Sequence, residues 1–196
     1  MRPSKLLLAR ADAGQADSQH KLGKLLLAHS GVASQREAIT WLIRASETDP
    51  ASDSYAFDAG LALWLANEKL RDCARAKGFI EASANLGNVD AMYFLASELA
   101  QGEELPRNEK KAFYWYRRAG KKGHAEAQYN LAIMFLEGDG ITKDLDKFMY
   151  WIRKSAVNGE TLAIQTLVNC YREGMWGFRK SDRWMRFWKS KVPSSK

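Results

Sequence analysis

The chain has 196 residues, 46% hydrophobic and 27% charged, which fits one large folded domain or one continuous array and excludes a low-complexity disordered chain. Its longest apolar runs, such as LLLA at 6–9 and 25–28, are far too short to span a bilayer. The formal net charge of +7 sits at one end: residues 171–196 hold 8 Lys+Arg and 2 Asp+Glu, which leaves 22 against 21 in residues 1–170.

The start, MRPSKLLLAR, is basic but lacks the apolar length of a secretory signal. A cytoplasmic location is therefore expected, or a periplasmic one if a signal peptide has been removed. Cys73 and Cys170 lie far apart and form no metal-type or redox-type spacing. They read as two buried free thiols.

In chain order, residues 1–14 read as a lone helix with Leu6, Leu7 and Gly14 at the positions of a repeat's second helix, capping the first full repeat. From there an offset of 36 organises the sequence. Trp115 falls on Trp151, Ala91 on Ala127 and Ala163, Leu95 on Leu131 and Leu167, and Gly102 on Gly138 and Gly174. Backwards, the same register meets Ala59, Gly60, Ala76, Phe79 and Gly87. With small loop changes it then meets Leu22, Gly23, Ala38, Trp41 and Ala45. The repeats are 15–52, 53–88, 89–124, 125–160 and 161–196, within a single domain 1–196.

Each repeat predicts two helices. In the fourth, AEAQYNLAIMFLEG places Ala127, Leu131, Ala132, Phe135 and Leu136 at helical spacing. Gly138 breaks the helix, and GDGITKD connects, with Gly140 able to take a left-handed backbone conformation. LDKFMYWIRKSAVNG then sets Phe148, Trp151, Ile152 and Ser155 at i, i+3, i+4 and i+7, one face of a second helix that stops at Gly159. One such pair cannot bury its own apolar face, so neighbours must stack. The stretch FYWYRRAG, 113–120, fits this seam through Trp115, Tyr116 and Ala119 rather than a base-stacking platform. Arg117 and Arg118 are expected on the solvated face. Phe113 and Tyr114, aligned with Met149 and Tyr150, are not required by the seam. They form either an outer apolar ridge or a contact with the adjoining repeat.

At AEAQYNLAIMFLEGDGITKDLDKFMYWIRKSAVNGETLA the chain resembles the Sel-one-like repeat family, relatives of the tetratricopeptide repeats. That family's pattern opens A-x-A-Q-Y-N-L-G, turns through Y-x-x-G-x-G-V, and closes with A-x-x-W-Y-x-K-A-A and a glycine. Here Ala132 replaces a glycine and Phe148 an alanine. The third repeat matches in KAFYWYRRAGKKGHAEA, although its loop GEELPRNEK lacks the second glycine; the other repeats are more degenerate. The resemblance implies an all-α fold, a right-handed α-solenoid superhelix of about five antiparallel helix pairs whose first helices line a concave surface. It also implies adaptor, scaffold or regulatory roles, with some bacterial members tied to secretion systems or toxin neutralisation.

The concave stripe predicted from this register takes His20, Lys24 and Leu27 from the first repeat and Phe57, Leu61 and Trp64 from the second. Tyr93, Ser97 and Ala100 follow from the third, Tyr129, Ile133 and Leu136 from the fourth, and Gln165, Asn169 and Arg172 from the fifth. The stripe is apolar and aromatic at its centre and polar at its ends, which suits a partner helix or an extended peptide with apolar anchors. The competing reading is that these side chains pack against the next first helix, most plainly for Tyr129. Trp64 is the strongest single candidate for binding.

The C-terminal MWGFRKSDRWMRFWKSKVPSSK places Trp184, Phe187 and Trp188 on a core face and Arg183, Arg186, Lys189 and Lys191 mostly opposite. This is either a charged terminal cap or a docking face for an acidic partner, nucleic acid or an anionic membrane surface. The loop EGDGITKDLD, 137–146, lacks the ligand order of a calcium loop. His20, His29 and His124 form no ligand-spaced cluster. Asp144 and Asp146 sit in a polar loop without a pocket to tune them. No catalytic, metal or cofactor residue is expected. The function expected is a non-enzymatic adaptor, monomeric alone, that binds another protein in its groove: a toxin to be neutralised or a secretion-system component, acidic where it meets the C-terminus. The alternative is a nucleic-acid or anionic-membrane binder using the basic C-terminus, although nucleic acid is not the expected partner.

Overall fold

The computed structural model describes residues 3–28 and 31–192, which leaves His29 and the last four residues of the C-terminal segment outside the described residues. Eleven α-helices occupy the described residues, with no strand among them. They are α1 (Lys5–Asp12), α2 (Ala16–Leu27), α3 (Val32–Thr48), α4 (Asp53–Trp64), α5 (Cys73–Leu86), α6 (Val89–Gln101), α7 (Glu109–Lys121), α8 (Ala125–Glu137), α9 (Leu145–Val157), α10 (Thr161–Glu173) and α11 (Asp182–Lys189). The fold is all-α, of the helix-pair solenoid class. It divides into two compact units, Met1–Leu95 and Ala96–Lys196, with the division inside α6.

The helix starts obey the same period as the core. Asp72, Asn108 and Asp144 each accept a hydrogen bond from the backbone N–H three residues on, opening α5, α7 and α9. Ser181 does the same for α11. A short polar side chain at this position satisfies an amide that has no partner inside the helix. At the other end, Gly138 closes α8 at φ +87. Gly140 is left-handed as expected, at φ +68, and a Cβ there would stand 2.7 Å from the Glu109 carbonyl carbon. Glycine lets the α8–α9 connection lie directly against the start of α7.

In the first unit, Ala11, Leu22 and Trp41 form a core against which Leu7, Leu8 and Leu26 pack. Leu6, expected on the core face of the first helix, is instead exposed, because α1 turns Leu7, Leu8 and Ala11 inward. Leu42 and Ile80 are fully buried where α3 and α5 cross the glycines of α2 and α4. In the second unit, Leu131, Phe148, Ile152, Leu167 and Cys170 are fully buried. Burial pushes the Cys170 thiol up to about 11, so it is protonated and unreactive at neutral pH. The expectation of two buried thiols holds for Cys170 only. Cys73, in the first turn of α5, is half-buried.

The helix seam follows the sequence reading at Trp115, Tyr116 and Ala119 and at Trp151, Ile152 and Ser155, all buried. Arg118, expected in solvent, is half-buried and lays its guanidinium 4.8 Å from the Trp115 ring centroid. Arg44 over Trp41 and Lys154 over Trp151 repeat the arrangement at 4.9 and 5.2 Å. A cation three residues after each of these tryptophans thus lies over the ring face. At the last turn Trp188 is buried, but Trp184 and Phe187 remain 44% and 43% exposed. No further helix among the described residues packs on them, so the full core face predicted there is not achieved.

Candidate functional site

Helix periodicity puts His20, Lys24 and Leu27 on one face of α2, and Asp58, Leu61, Ala62 and Leu65 on one face at the end of α4. The two faces meet. Asp58 Oδ2 receives His20 Nε2 at 2.7 Å and Lys24 Nζ at 3.0 Å. The His20 ring also lies 4.6 Å from that of Tyr55. Beside this polar clamp, Lys24, Leu27, Gln35, Asp58, Leu61, Ala62, Leu65 and Ala66 line a cleft of about 310 Å³. Asn67 donates to Gln35 Oε1 at 2.6 Å, tying the segment after α4 to α3. Leu65 is 72% exposed and Leu27 40% exposed. Two leucines therefore present apolar surface at a cleft whose rim carries a lysine and a carboxylate.

Of the predicted stripe, the structure brings Lys24, Leu27 and Leu61 together here. Trp64 is a correction. It is 4% exposed, and its indole meets the Phe94 ring edge-on at 5.4 Å. The helical turn that carries Leu65 outward carries Trp64 into the core, so no surface of the indole is left for a partner. Phe57 is half-buried and also edge-on to Phe94, at 6.5 Å. Tyr93, Ser97 and Ala100 are half-buried along α6. Tyr129, Ile133 and Leu136 are half-buried on α8. Ile133 lines a smaller cleft of about 130 Å³ with Ala100, Arg107 and Asp139. Gln165, Asn169 and Arg172 are exposed on α10.

Asp58 and Leu65 escaped the sequence reading. Asp58 follows Phe57 and breaks no hydrophobic rule. Leu65 follows Trp64, and periodicity favoured the larger aromatic. The available signal was Leu61 and Leu65 at i, i+4 at the end of α4.

The 137–146 loop does structural work: Asp144 caps α9 and bonds Lys147 Nζ at 2.7 Å. No group of three or more His, Cys, Asp or Glu among the described residues is placed to hold a metal ion. No helix among them is long and apolar enough to cross a membrane.

A family profile described as Sel1 repeat matches residues 16–47, 89–124 and 125–159, together just over half of the chain. Among solved structures, the chain is similar to a Sel1 repeat protein from Oxalobacter formigenes, with 24% identity and a TM-score of 0.76 over 97% of this chain and 75% of that one. It is also similar to a protective antigen of uropathogenic Escherichia coli displaying an SLR fold, with 22% identity and a TM-score of 0.84. That match covers 98% of this chain but only 41% of the antigen. An immunity protein from Pseudomonas aeruginosa aligns at 16% identity and a TM-score of 0.55, over 96% of this chain and 71% of that protein. A search of curated proteins returns no match.

Proposed function

This chain belongs to the Sel1 repeat family, and we propose that it is a protein-binding adaptor whose cleft between α2 and α4 receives an amphipathic helix of a partner protein. The observation that carries this reading is the pair of exposed leucines, Leu27 and Leu65, flanking a ready-made apolar cleft. The Lys24–Asp58–His20 clamp supports it. The clamp joins α2 to α4 before any partner arrives, so little ordering entropy is lost on docking. The charged rim fixes the direction of an entering helix through its own polar face.

The more specific form of the proposal is an immunity or inhibitor protein that occludes a toxin. Its support is the fold likeness to the Pseudomonas immunity protein. The adaptor reading is tested by placing a photo-crosslinking amino acid at Ala66, mapping the captured partner by mass spectrometry, and repeating with Leu61→Asp. Loss of the crosslink in a variant that keeps its melting temperature supports the cleft; an unchanged crosslink rejects it. The toxin form is tested by growth rescue when the chain is co-expressed with that partner. A captured partner that is harmless to cells rejects it.

The alternative use of the C-terminus has one observation in its favour. Trp184 and Phe187 are exposed on α11 beside Arg183, Arg186 and Lys189, a composition suited to an anionic membrane surface. Titration of phosphatidylserine vesicles and of RNA in a salt series separates it from the adaptor reading. Absence of binding at low salt removes it.

A further inference from the structure

In the second unit, the side formed by the second helices carries two related clefts that the adaptor reading does not use. The first lies between α7 and α9 and measures about 680 Å³. Phe113, Arg117 and Lys121 recur at i, i+4 and i+8 along α7, facing Lys147 and Tyr150 of α9 across a floor that includes Phe135. One repeat on, Met149 and Arg153 take the places of Phe113 and Arg117, and Tyr171 that of Phe135, in a cleft of about 530 Å³ that also includes Arg179 and Lys180. Neither cleft is lined by a carboxylate.

The cations differ in how far they are committed. Lys147 is paired with Asp144 at 2.7 Å. Arg153 lies over Phe178 at 4.8 Å and donates to the Tyr171 hydroxyl at 3.4 Å. The exposed side chains of Arg117, Lys121, Arg179 and Lys180 have no hydrogen-bond or ion-pair partner among the described residues. Two unpaired cations therefore stand at each of two successive clefts, the first lined mainly by apolar surface and the second mainly by polar surface.

We propose that these clefts form a docking track for an extended acidic segment of a partner protein, with a leucine or aromatic side chain entering the first cleft and Asp or Glu residues meeting Arg117 and Lys121 there and Arg179 and Lys180 at the second. Charge complementarity selects the sign of the occupant. The covered seam tryptophans argue for peptide over nucleic acid. Base stacking needs open ring faces, but Arg118 and Lys154 already cover Trp115 and Trp151. The same two cations approach the faces of Tyr114 and Tyr150 at 5.6 and 5.8 Å. Trp184 is stacked on Tyr171. Phe113 and Tyr150 line the first cleft and Met149 the second, side chains that suit an aliphatic or aromatic partner. The assignment also gives Phe113 a role that the helix seam does not require.

The test is a display selection of random peptides, about twelve residues long, on the full chain. It is repeated on Arg117→Glu/Lys121→Glu and on Arg179→Glu/Lys180→Glu, with the corresponding Gln variants as milder forms. The expected result is enrichment of peptides with Asp or Glu beside Leu, Phe or Tyr. Labelled copies should bind at least ~10-fold more weakly to each Glu variant, with an intermediate loss for Gln, and more weakly as salt rises from about 50 to about 500 mM. All variants alter exposed side chains and should keep the parent melting temperature; the Gln forms carry the comparison if a Glu form does not. Selected peptides that are neutral or basic overturn the proposal, as do acidic peptides that bind all variants equally. An oligothymidylate that binds more tightly than any selected peptide, and is lost in the same variants, overturns it in favour of nucleic acid.

Discussion

Asn158 donates its side-chain amide to Gln128 Oε1 at 2.8 Å, while the amide nitrogen of Gln128 donates to the Gly120 carbonyl at 2.8 Å. One fully buried glutamine near the start of α8 therefore ties the end of α7 to the turn that closes α9. Gln19 repeats the device in the first unit, donating to the Ala11 carbonyl at 3.2 Å and accepting from Thr48 Oγ1 at 3.0 Å. Each glutamine joins the end of the preceding second helix to the end of its own pair.

Gln128→Leu keeps the volume but leaves the Gly120 carbonyl without its side-chain donor and Asn158 with only its longer, 3.3 Å bond to the Gly123 carbonyl. The expected cost is about 1–3 kcal/mol, read as a lower urea midpoint at unchanged slope. Asn158→Ala removes the partner that lies nearer solvent and should cost less. A Gln128→Leu chain as stable as the parent would show the staple to be energetically idle.

Gly60 and Gly78 are both helical, and replacement by Ala should move stability in opposite directions. A Cβ on Gly60 would stand 2.6 Å from Ile80 Cγ1 and 3.1 Å from the Ala76 carbonyl. Gly60→Ala should therefore destabilise by about 1–3 kcal/mol through overpacking, outweighing the gain of about 1 kcal/mol in helix propensity. A Cβ on Gly78 meets nothing within 4 Å. Gly78→Ala should stabilise by about 0.5–1 kcal/mol. Thermal melts of the two variants decide both signs.

Trp64 and Leu65 are adjacent in sequence but should separate stability from binding. Trp64→Ala empties a core site packed edge-on against Phe94 and should cost about 3–5 kcal/mol. Leu65→Asp changes an exposed side chain and should shift stability by no more than about 0.5 kcal/mol, while abolishing capture of a partner at the α2–α4 cleft. Denaturant melts and crosslinking yield, measured on the same preparations, distinguish the two roles.

Asp144 should contribute to the acid limb of stability. Its carboxyl is held below the ordinary 3.8, first by the hydrogen bond from the Lys147 side chain and then by the Lys147 backbone N–H. A carboxyl depressed in the folded state stabilises above its unfolded value, and that contribution is lost as pH falls through the folded value. Asp144→Asn retains a good cap but should flatten the loss of stability below about pH 4. Asp144→Ala should lower stability at neutral pH as well. An acid transition identical in parent and Asn variant would contradict this.

The helix pairs and most of the seam were legible in the sequence because a recurring small or apolar residue has one physical use in stacked helices. The caps at Asp72, Asn108 and Asp144 share that register and were readable by the same logic, though aligning apolar positions alone passes over them. The candidate site was legible only in part. Leu61 and Lys24 fell into the cleft, but Trp64 and Leu65 are neighbours on a helix. A turn of about 100° per residue decides which of them faces inward, and composition does not distinguish them.

The sequence by itself determined an all-α array of helix pairs, because apolar residues at helical spacing recur at a 36-residue offset and are buried by stacking one pair on the next. Tertiary structure alone decided which members of each face keep contact with water. That depends on how closely neighbouring helices approach, at Gly60 against Ile80 and at Gln128 against Gly120. It also decided that Asp58 would bridge His20 and Lys24, and that Arg118 would cover Trp115 while Arg117, next to it, remained unpaired among the described residues. These outcomes follow from distances between residues of different helices, which a one-dimensional pattern does not contain.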